Sequence, residues 1–219
     1  MSQVLLVRHG QASWGAEDYD VLSDTGAEQA RVLGRTFAAR GLVPELVVHG
    51  SMRRQRETAR FVAEAAGWDL AVDEDPGWDE MNHHEVLARQ PHSFAGDQPT
   101  RHEFQAWFEA ATTRWVGGDH DHEYDESFPA FGDRVEASVD RLTSRLPDSA
   151  IAVVVTSGGP IARLAAGLLG GGADLHSRLA PVVVNASVTK VVVGSRGSTL
   201  VSFNDHSHLE AGDGLLTYR

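Results

Sequence analysis

The sequence contains no cysteine, and lysine occurs once, at Lys190. Without thiols the chain cannot form a disulfide, a thiolate zinc site or a cysteine nucleophile. A net charge of -12 argues against nucleic acid and anionic membranes as partners. No apolar run approaches the roughly 20 residues of a membrane span. The N-terminal apolar run, residues 4–7, is too short for a signal peptide, so we expect a cytoplasmic protein.

Short apolar runs separated by amphipathic stretches are what the sequence does have. They predict strands at 4–7, 44–50, 70–75 and 150–156, and a closing hairpin around 195–197. Helices are predicted after an N-cap at Ser23, at 53–67, and near 128–146 and 160–169. This alternation is typical of βαβ units, so it predicts an α/β fold with a largely parallel sheet. Residues 1–219 are interpreted as a single domain, with an insertion at about 75–128 that carries helices near 82–90 and 101–116.

The first candidate motif is Arg8-His9-Gly10, which ends the first predicted strand. Open α/β sheets bind ligands at this edge, and a histidine there can attack phosphorus when its other ring nitrogen is held by a hydrogen bond. Gly10 would let the backbone pass close to a ligand. The alternative is a partly buried histidine that only caps the strand, and the motif alone leaves both open.

The second motif is the stretch GSMRRQRETA, which opens the second predicted helix. Helix N-termini favour anions, and arginine adds a planar fork that matches phosphate oxygens. One or two of its three arginines can face a single pocket, so we expect Arg53 and Arg56 to be solvated. A third candidate is Glu80, whose neighbours Trp78 and Met81 suit a general acid working near neutral pH. A solvent-facing loop carboxylate is its alternative.

Ser157 raises a question of its own, because it stands in TSGGP after the most apolar predicted strand. A nucleophile elbow would need glycine two positions earlier, where Val155 stands. The stretch also lacks the lysine of a P-loop. Neither interpretation explains the serine.

Taken together, these stretches resemble the histidine phosphatase superfamily, also called phosphoglycerate mutase-like. LLVRHGQA is similar to its phosphohistidine motif, LSDTGAEQA to the turn and helix that follow, and RRQRETA to its second arginine segment. NASVTKV and SFNDHSHL are similar to its C-terminal strands. The resemblance covers nearly the whole chain and implies a three-layer sandwich, a mostly parallel central sheet with helices on both faces.

The resemblance also implies a two-step phosphoryl transfer without metal or cofactor. His9 would carry the phosphoryl group and Glu80 would protonate the leaving oxygen. The phosphate would be held by a set of substrate-binding residues: Arg8, Gln11, Arg54, Ser157 and Gly158. The expected partner is a small phosphorylated substrate, and the segment 75–128 would shape its specificity, with Trp78, Trp107 and Trp115 as candidate apolar contacts or as packing residues.

Two positions depart from the family pattern. Ser157 stands where the resemblance implies the second active-site histidine, and Gly15 stands where several members have asparagine. A serine donates one hydrogen bond but carries no charge, so we expect weakened activity unless His83 or His84 replaces the lost charge.

Three functions therefore remain open: a metal-independent phosphatase, a weakened member that binds phosphorylated ligands, and a phosphoglycerate-type mutase. Metal sites at the histidine clusters 83–84, 120–122 and 206–208 are a further alternative, which we disfavour because adjacent histidines cannot easily share a metal.

Overall fold

The computed structural model describes residues 1–13, 20–92, 94, 99–210 and 212–218, and Gly15 lies outside them. The described chain contains these strands: β1 (Ser2–Arg8), β2 (Leu46–His49), β3 (Val72–Glu74), β4 (Ile151–Thr156), β5 (Val188–Gly194) and β6 (Gly197–Asp205). Its helices are α1 (Asp24–Ala39), α2 (Arg53–Ala66), α3 (His83–Ala88), α4 (Arg101–Val116), α5 (Phe128–Arg145), α6 (Gly158–Leu168) and α7 (Ala173–Leu179).

The strands form one sheet in the order β3-β2-β4-β1-β5-β6. Strands β3, β2, β4 and β1 are parallel, whereas β5 runs antiparallel to β1 and pairs with β6 in the closing hairpin. The predicted α/β fold with a mostly parallel sheet is confirmed. Because β2, β4 and β1 are parallel, their carboxyl ends lie at one edge of the sheet, which is where open α/β sheets bind ligands.

Alternate residues of the central strands face opposite layers of helices. Leu5 and Val7 of β1 pack with residues of α1 and α2, whereas Val4 and Leu6 pack with residues of α4, α5 and α6. Successive side chains of a strand point to opposite faces, so a strand covered on both sides is apolar throughout. This is why β1 and β4 read as continuous apolar runs, and it confirms the expected helices on both faces.

The helix ends follow local capping chemistry where the sequence carries it. Ser23 is the N-cap of α1, and its hydroxyl oxygen accepts a hydrogen bond from the Gly26 amide at 3.0 Å. Helix α7 was not predicted, because it is seven residues long and has no apolar period. Its buried residue is His176, which packs on the Phe128 ring at 4.9 Å between centroids, so tertiary contact accounts for its position.

The segment between β3 and β4 packs into the main core. Trp78 and Trp115 are buried at 0% and 2% exposure, and they join the cluster formed by one face of β1 and β4. Of the two interpretations of these tryptophans, packing is therefore the one the structure supports, while Trp107 is partly buried against the same cluster. None of the helices in the described ranges is both long and apolar enough to cross a membrane.

Candidate active site

His9 follows β1 directly and lies at the carboxyl edge of the sheet. Its backbone amide donates to the Thr156 carbonyl of β4 at 2.8 Å, which ties the two strand ends together. The ring Nδ1 is 2.7 Å from the Gly10 carbonyl oxygen, so it carries the proton and donates. The other nitrogen, Nε2, then has a free lone pair and accepts a hydrogen bond from Arg54 Nε at 3.1 Å.

The charge state of His9 follows from its surroundings. Burial lowers the pKa of its imidazole well below the ordinary value of 6.5, and the positive charges of Arg54 and Arg8 lower it further. The bond to the Gly10 carbonyl opposes these effects. The ring is therefore neutral at pH 7, with Nε2 in the form that a nucleophile needs.

Arg54 belongs to the first turn of α2 and is 5% exposed. Its guanidinium donates to His9 through Nε and to Asp20 Oδ1 at 2.7 Å. Asp20 also accepts from the Arg53 backbone amide at 2.7 Å, so it caps α2 and holds the guanidinium at once. Arg53 and Arg56 are exposed, as the helix pattern predicted, and Arg54 alone of the three reaches His9.

Arg8 lies near the start of α6. Its guanidinium donates to the carbonyls of Val183 and Tyr218, the latter at 2.8 Å. A Cβ added to Gly158 would lie 3.6 Å from Arg8 Nε, which places this guanidinium beside the first residue of α6. The charges of both arginines act on His9, so the surroundings of the ring are positive.

Ser157 lies between β4 and α6 and is fully buried. It is the N-cap residue of α6, yet its hydroxyl makes no capping bond. Its oxygen instead accepts a hydrogen bond from Gln55 Nε2 at 2.9 Å. The capping position is taken by Glu80, whose Oε2 accepts from the Gly159 amide at 2.9 Å. A Cβ on Gly159 would lie 1.9 Å from Glu80 Oε1, so only glycine admits the carboxylate there.

Gln11 and Gly10 have structural partners in the described chain. The Gln11 side-chain oxygen accepts from the Ser23 hydroxyl at 3.0 Å. A Cβ added to Gly10 would lie 2.4 Å from the Gly26 carbonyl oxygen, so the glycine is required by close contact with α1. This contact is a separate reason for glycine at position 10, and the expected close approach to a ligand stays a prediction.

His83 is coupled to the site through its charge environment. Burial lowers its pKa to about 4, with further lowering by His84 and Arg54 and an opposing effect of Asp20. At pH 7 the ring is neutral, so His83 does not supply the positive charge that a histidine in place of Ser157 would bring. Within the described ranges, no group of three or more His, Asp or Glu side chains is placed to hold a metal ion.

Three residues that hold this geometry are not among the candidates that the sequence pattern marks: Asp20, Gln55 and Asn185. Asn185 is fully buried and donates from Nδ2 to the His9 carbonyl at 3.1 Å. Nothing in the local pattern marks Asp20, because an acidic residue in a polar stretch is ordinary. Gln55 carried one signal, since a glutamine on the inward face of an amphipathic helix needs buried hydrogen-bond partners.

Comparison with known proteins decides the family. Residues 4–206 match the histidine phosphatase superfamily, branch 1. The chain belongs to the histidine phosphatase superfamily. The chain is 26% identical to the probable phosphoglycerate mutase GpmB of Erwinia tasmaniensis, and the match covers 96% of each chain.

Solved structures share the superfamily fold. A phosphoserine phosphatase variant from Entamoeba histolytica, in complex with phosphoserine, gives a TM-score of 0.70 at 18% identity, covering 95% of this chain and 100% of that one. The phosphoglycerate mutase of Bacillus anthracis gives 0.69 at 20% identity, with 94% of each chain covered. A mycobacterial glucosyl-3-phosphoglycerate phosphatase with bound VO3 gives 0.66 at 24% identity, covering 92% of this chain and 98% of that one.

Proposed function

We propose that this protein is a metal-independent phosphatase that hydrolyses a small phosphomonoester through a phosphohistidine on His9, with no cofactor. The observation that carries the proposal is the state of the His9 ring. The Gly10 carbonyl holds the proton on Nδ1, burial and two arginines keep the ring neutral, and the Nε2 lone pair faces Arg54. A neutral, fixed imidazole that two arginine charges act on is suited to attack a phosphoryl group that those arginines would hold.

When the substrate binds, the Arg54 N–H would turn from His9 Nε2 to a phosphoryl oxygen, which frees the Nε2 lone pair. In the first step, Nε2 then attacks phosphorus and the bond from phosphorus to the ester oxygen breaks. Glu80, in its protonated form, gives its proton to the leaving oxygen. In the second step, a water molecule attacks phosphorus, the bond to Nε2 breaks, and the Glu80 carboxylate takes the water proton.

The phosphoryl oxygens would be held by Arg54 on one side and Arg8 on the other. Ser157 and the Gly158 amide at the start of α6 would add neutral donors, and Gln11 would lie at the rim. These groups stabilise the charge that spreads over the equatorial oxygens in the transition state. One donor of this kind typically contributes about 10²–10³ in rate, so we expect a neutral serine in place of a cationic histidine to slow turnover without abolishing it.

Similar proteins support a phosphorylated substrate of small size. One solved relative holds phosphoserine and another holds a vanadium oxide that mimics phosphate. The segment 75–128 would form the wall that selects the leaving group. A phosphoglycerate-type mutase is the second candidate, favoured by the full-length similarity to the Erwinia tasmaniensis protein.

A screen of phosphomonoesters with and without chelator tests the proposal, and the radiolabelled phosphoenzyme is trapped in parallel. We expect unchanged turnover in chelator and an acid-labile, base-stable phosphoryl label that His9→Ala removes. Transfer of the phosphoryl group between hydroxyls of phosphoglycerate, without release of phosphate, would identify a mutase instead. Binding of phosphorylated ligands without any turnover would identify the weakened member.

His49 provides a matched control. It ends β2, is 5% exposed like His9, and has its Nδ1 2.6 Å from the carbonyl oxygen of the following Gly50. His49→Ala therefore removes a buried strand-end histidine with the same local contact. The phosphoryl label must survive this change, and a label lost equally in both variants would contradict the assignment to His9.

A further inference from the structure

The side chain of Gln55 connects α2 to the end of β4. It is fully buried and follows Arg54 in the first turn of the helix. Its Oε1 accepts from the Met52 amide at 3.3 Å, and its Nε2 donates to the Trp78 carbonyl at 3.2 Å and to Ser157 Oγ at 2.9 Å. Consecutive residues of α2 thus reach His9 and Ser157.

The orientation of the Gln55 amide is determined by groups whose polarity cannot change. A backbone N–H only donates and a backbone carbonyl only accepts. A flipped amide would set its NH2 group against the Met52 N–H and its oxygen against the Trp78 carbonyl, which already accepts from the Thr156 hydroxyl. The flip would leave the Met52 N–H without an acceptor and bring two carbonyl oxygens into repulsive contact. The NH2 group therefore faces Ser157, and this assignment follows from the network.

This orientation decides what the Ser157 hydroxyl can do. Because its oxygen accepts from Gln55, its single proton remains available for donation. A serine at an N-cap normally caps its own helix by accepting from an amide of the first turn. Here the Gly159 amide already donates to Glu80, and the hydroxyl makes no capping bond. The proton can therefore be donated to a ligand bound at the carboxyl edge of the sheet.

We propose that Gln55 is a positioning residue, which holds the Ser157 hydroxyl so that it donates its proton to the phosphoryl group. The inference rests on the proposed function for the nature of the ligand. Without the Gln55 amide, no donor fixes the lone pairs of the Ser157 oxygen, so the hydroxyl is no longer held with its proton toward the ligand. The phosphoryl group then loses one hydrogen bond although Ser157 is still present.

A double-mutant cycle with Gln55→Met and Ser157→Ala tests this inference. Orthovanadate affinity, measured by calorimetry, and kcat and KM on one ester are the readouts. Each single change is expected to lower vanadate affinity about three- to tenfold, the effect of one hydrogen bond. In the Ser157→Ala background, Gln55→Met is expected to have no further effect. Both single variants should divide their loss between kcat and KM in the same proportion.

Gln29→Met is the matched control, because Gln29 is a second fully buried glutamine whose amide donates to Leu215 and Thr217 instead. Its effect should multiply with that of Ser157→Ala. If Gln55→Met does not fold, Gln55→Glu replaces it in the cycle. The glutamate has nearly the same volume, and its carboxylate accepts a hydrogen bond from the Ser157 hydroxyl, which turns that proton away from the ligand. The effect of Gln55→Glu must therefore also shrink when Ser157 is absent.

Independent, multiplying effects of Gln55 and Ser157 would overturn the inference. A parent protein that binds vanadate but hydrolyses no ester would overturn the proposed function alone. In that case the vanadate cycle still decides whether Gln55 orients the hydroxyl.

Discussion

The substitution Gly159→Ala is expected to displace the Glu80 carboxylate while changing the free energy of unfolding little. The added Cβ would lie 1.9 Å from Glu80 Oε1, whereas ordinary contacts begin at 3.4 Å. The difference, about 1.5 Å, is the distance by which the carboxylate must move. The Gly159 amide would also lose its acceptor, which now lies at 2.9 Å.

A displacement of this size has a large kinetic consequence. A shift of about 1 Å in a reacting group can cost about 10²-fold in rate. We therefore expect kcat on a phosphomonoester to fall about 100-fold in Gly159→Ala. Stability should change little, because alanine in a helix gains about 1 kcal/mol over glycine and this offsets the lost hydrogen bond.

Gly167→Ala is the control in the same helix. Its added Cβ would meet only Arg163, at 3.4 Å, so the protein should gain stability and keep its kcat. Rapid-quench kinetics and urea unfolding on both variants make the comparison. Full activity in Gly159→Ala would refute the role of Glu80, because the carboxylate cannot stay in place beside the new methyl group.

Three further predictions concern single histidines and Ser157. The His9 ring should stay neutral down to a pH well below 6.5 in the free protein, because burial and two arginines lower its pKa, and NMR titration of the ring should show this; a midpoint near 6.5 would contradict it. The pKa of His176 is lowered to about 4 by burial and by Arg163, so the unfolded chain binds a proton below pH 6.5 that the folded chain refuses. Stability should therefore fall as pH falls, by about 2 kcal/mol from His176 at pH 5, and urea unfolding of His176→Leu should lack this loss whereas the exposed His122→Leu retains it. Ser157→His alone should not raise phosphatase activity, because the Gln55 amide lies 2.9 Å from the serine oxygen. Adding Gln55→Ala makes room for the ring, and the double variant should exceed Gln55→Ala/Ser157→Ala in kcat on the same ester; equal rates would show that a charged donor at 157 is not what limits turnover.

Local sequence patterns are enough to predict the α/β fold, with helices on both faces of a mostly parallel sheet. Buried parallel strands must be apolar on both faces, so the continuous apolar runs predict β1 and β4. Ser23 predicts the start of α1 because serine is a favoured N-cap residue. His9 and Arg54 became candidates because strand ends and helix starts favour ligands in this architecture, and the family resemblance selected Arg54 among its neighbours. Their roles stay predictions. Helix α7 is not predicted from the sequence, since seven residues without an apolar period give no local pattern to recognise.

Only the tertiary structure decided which side chains meet. Gln55 and Ser157 are 102 positions apart, and Glu80 and Gly159 are 79 apart. Their contacts depend on the order of β2, β4 and β1 in the sheet, which places the first turns of α2 and α6 against the same strand ends. Local pattern records the conformation that each segment prefers. It does not show that Glu80, rather than the N-cap residue Ser157, accepts the hydrogen bond from the first turn of α6. That contact forms only when the two segments pack together.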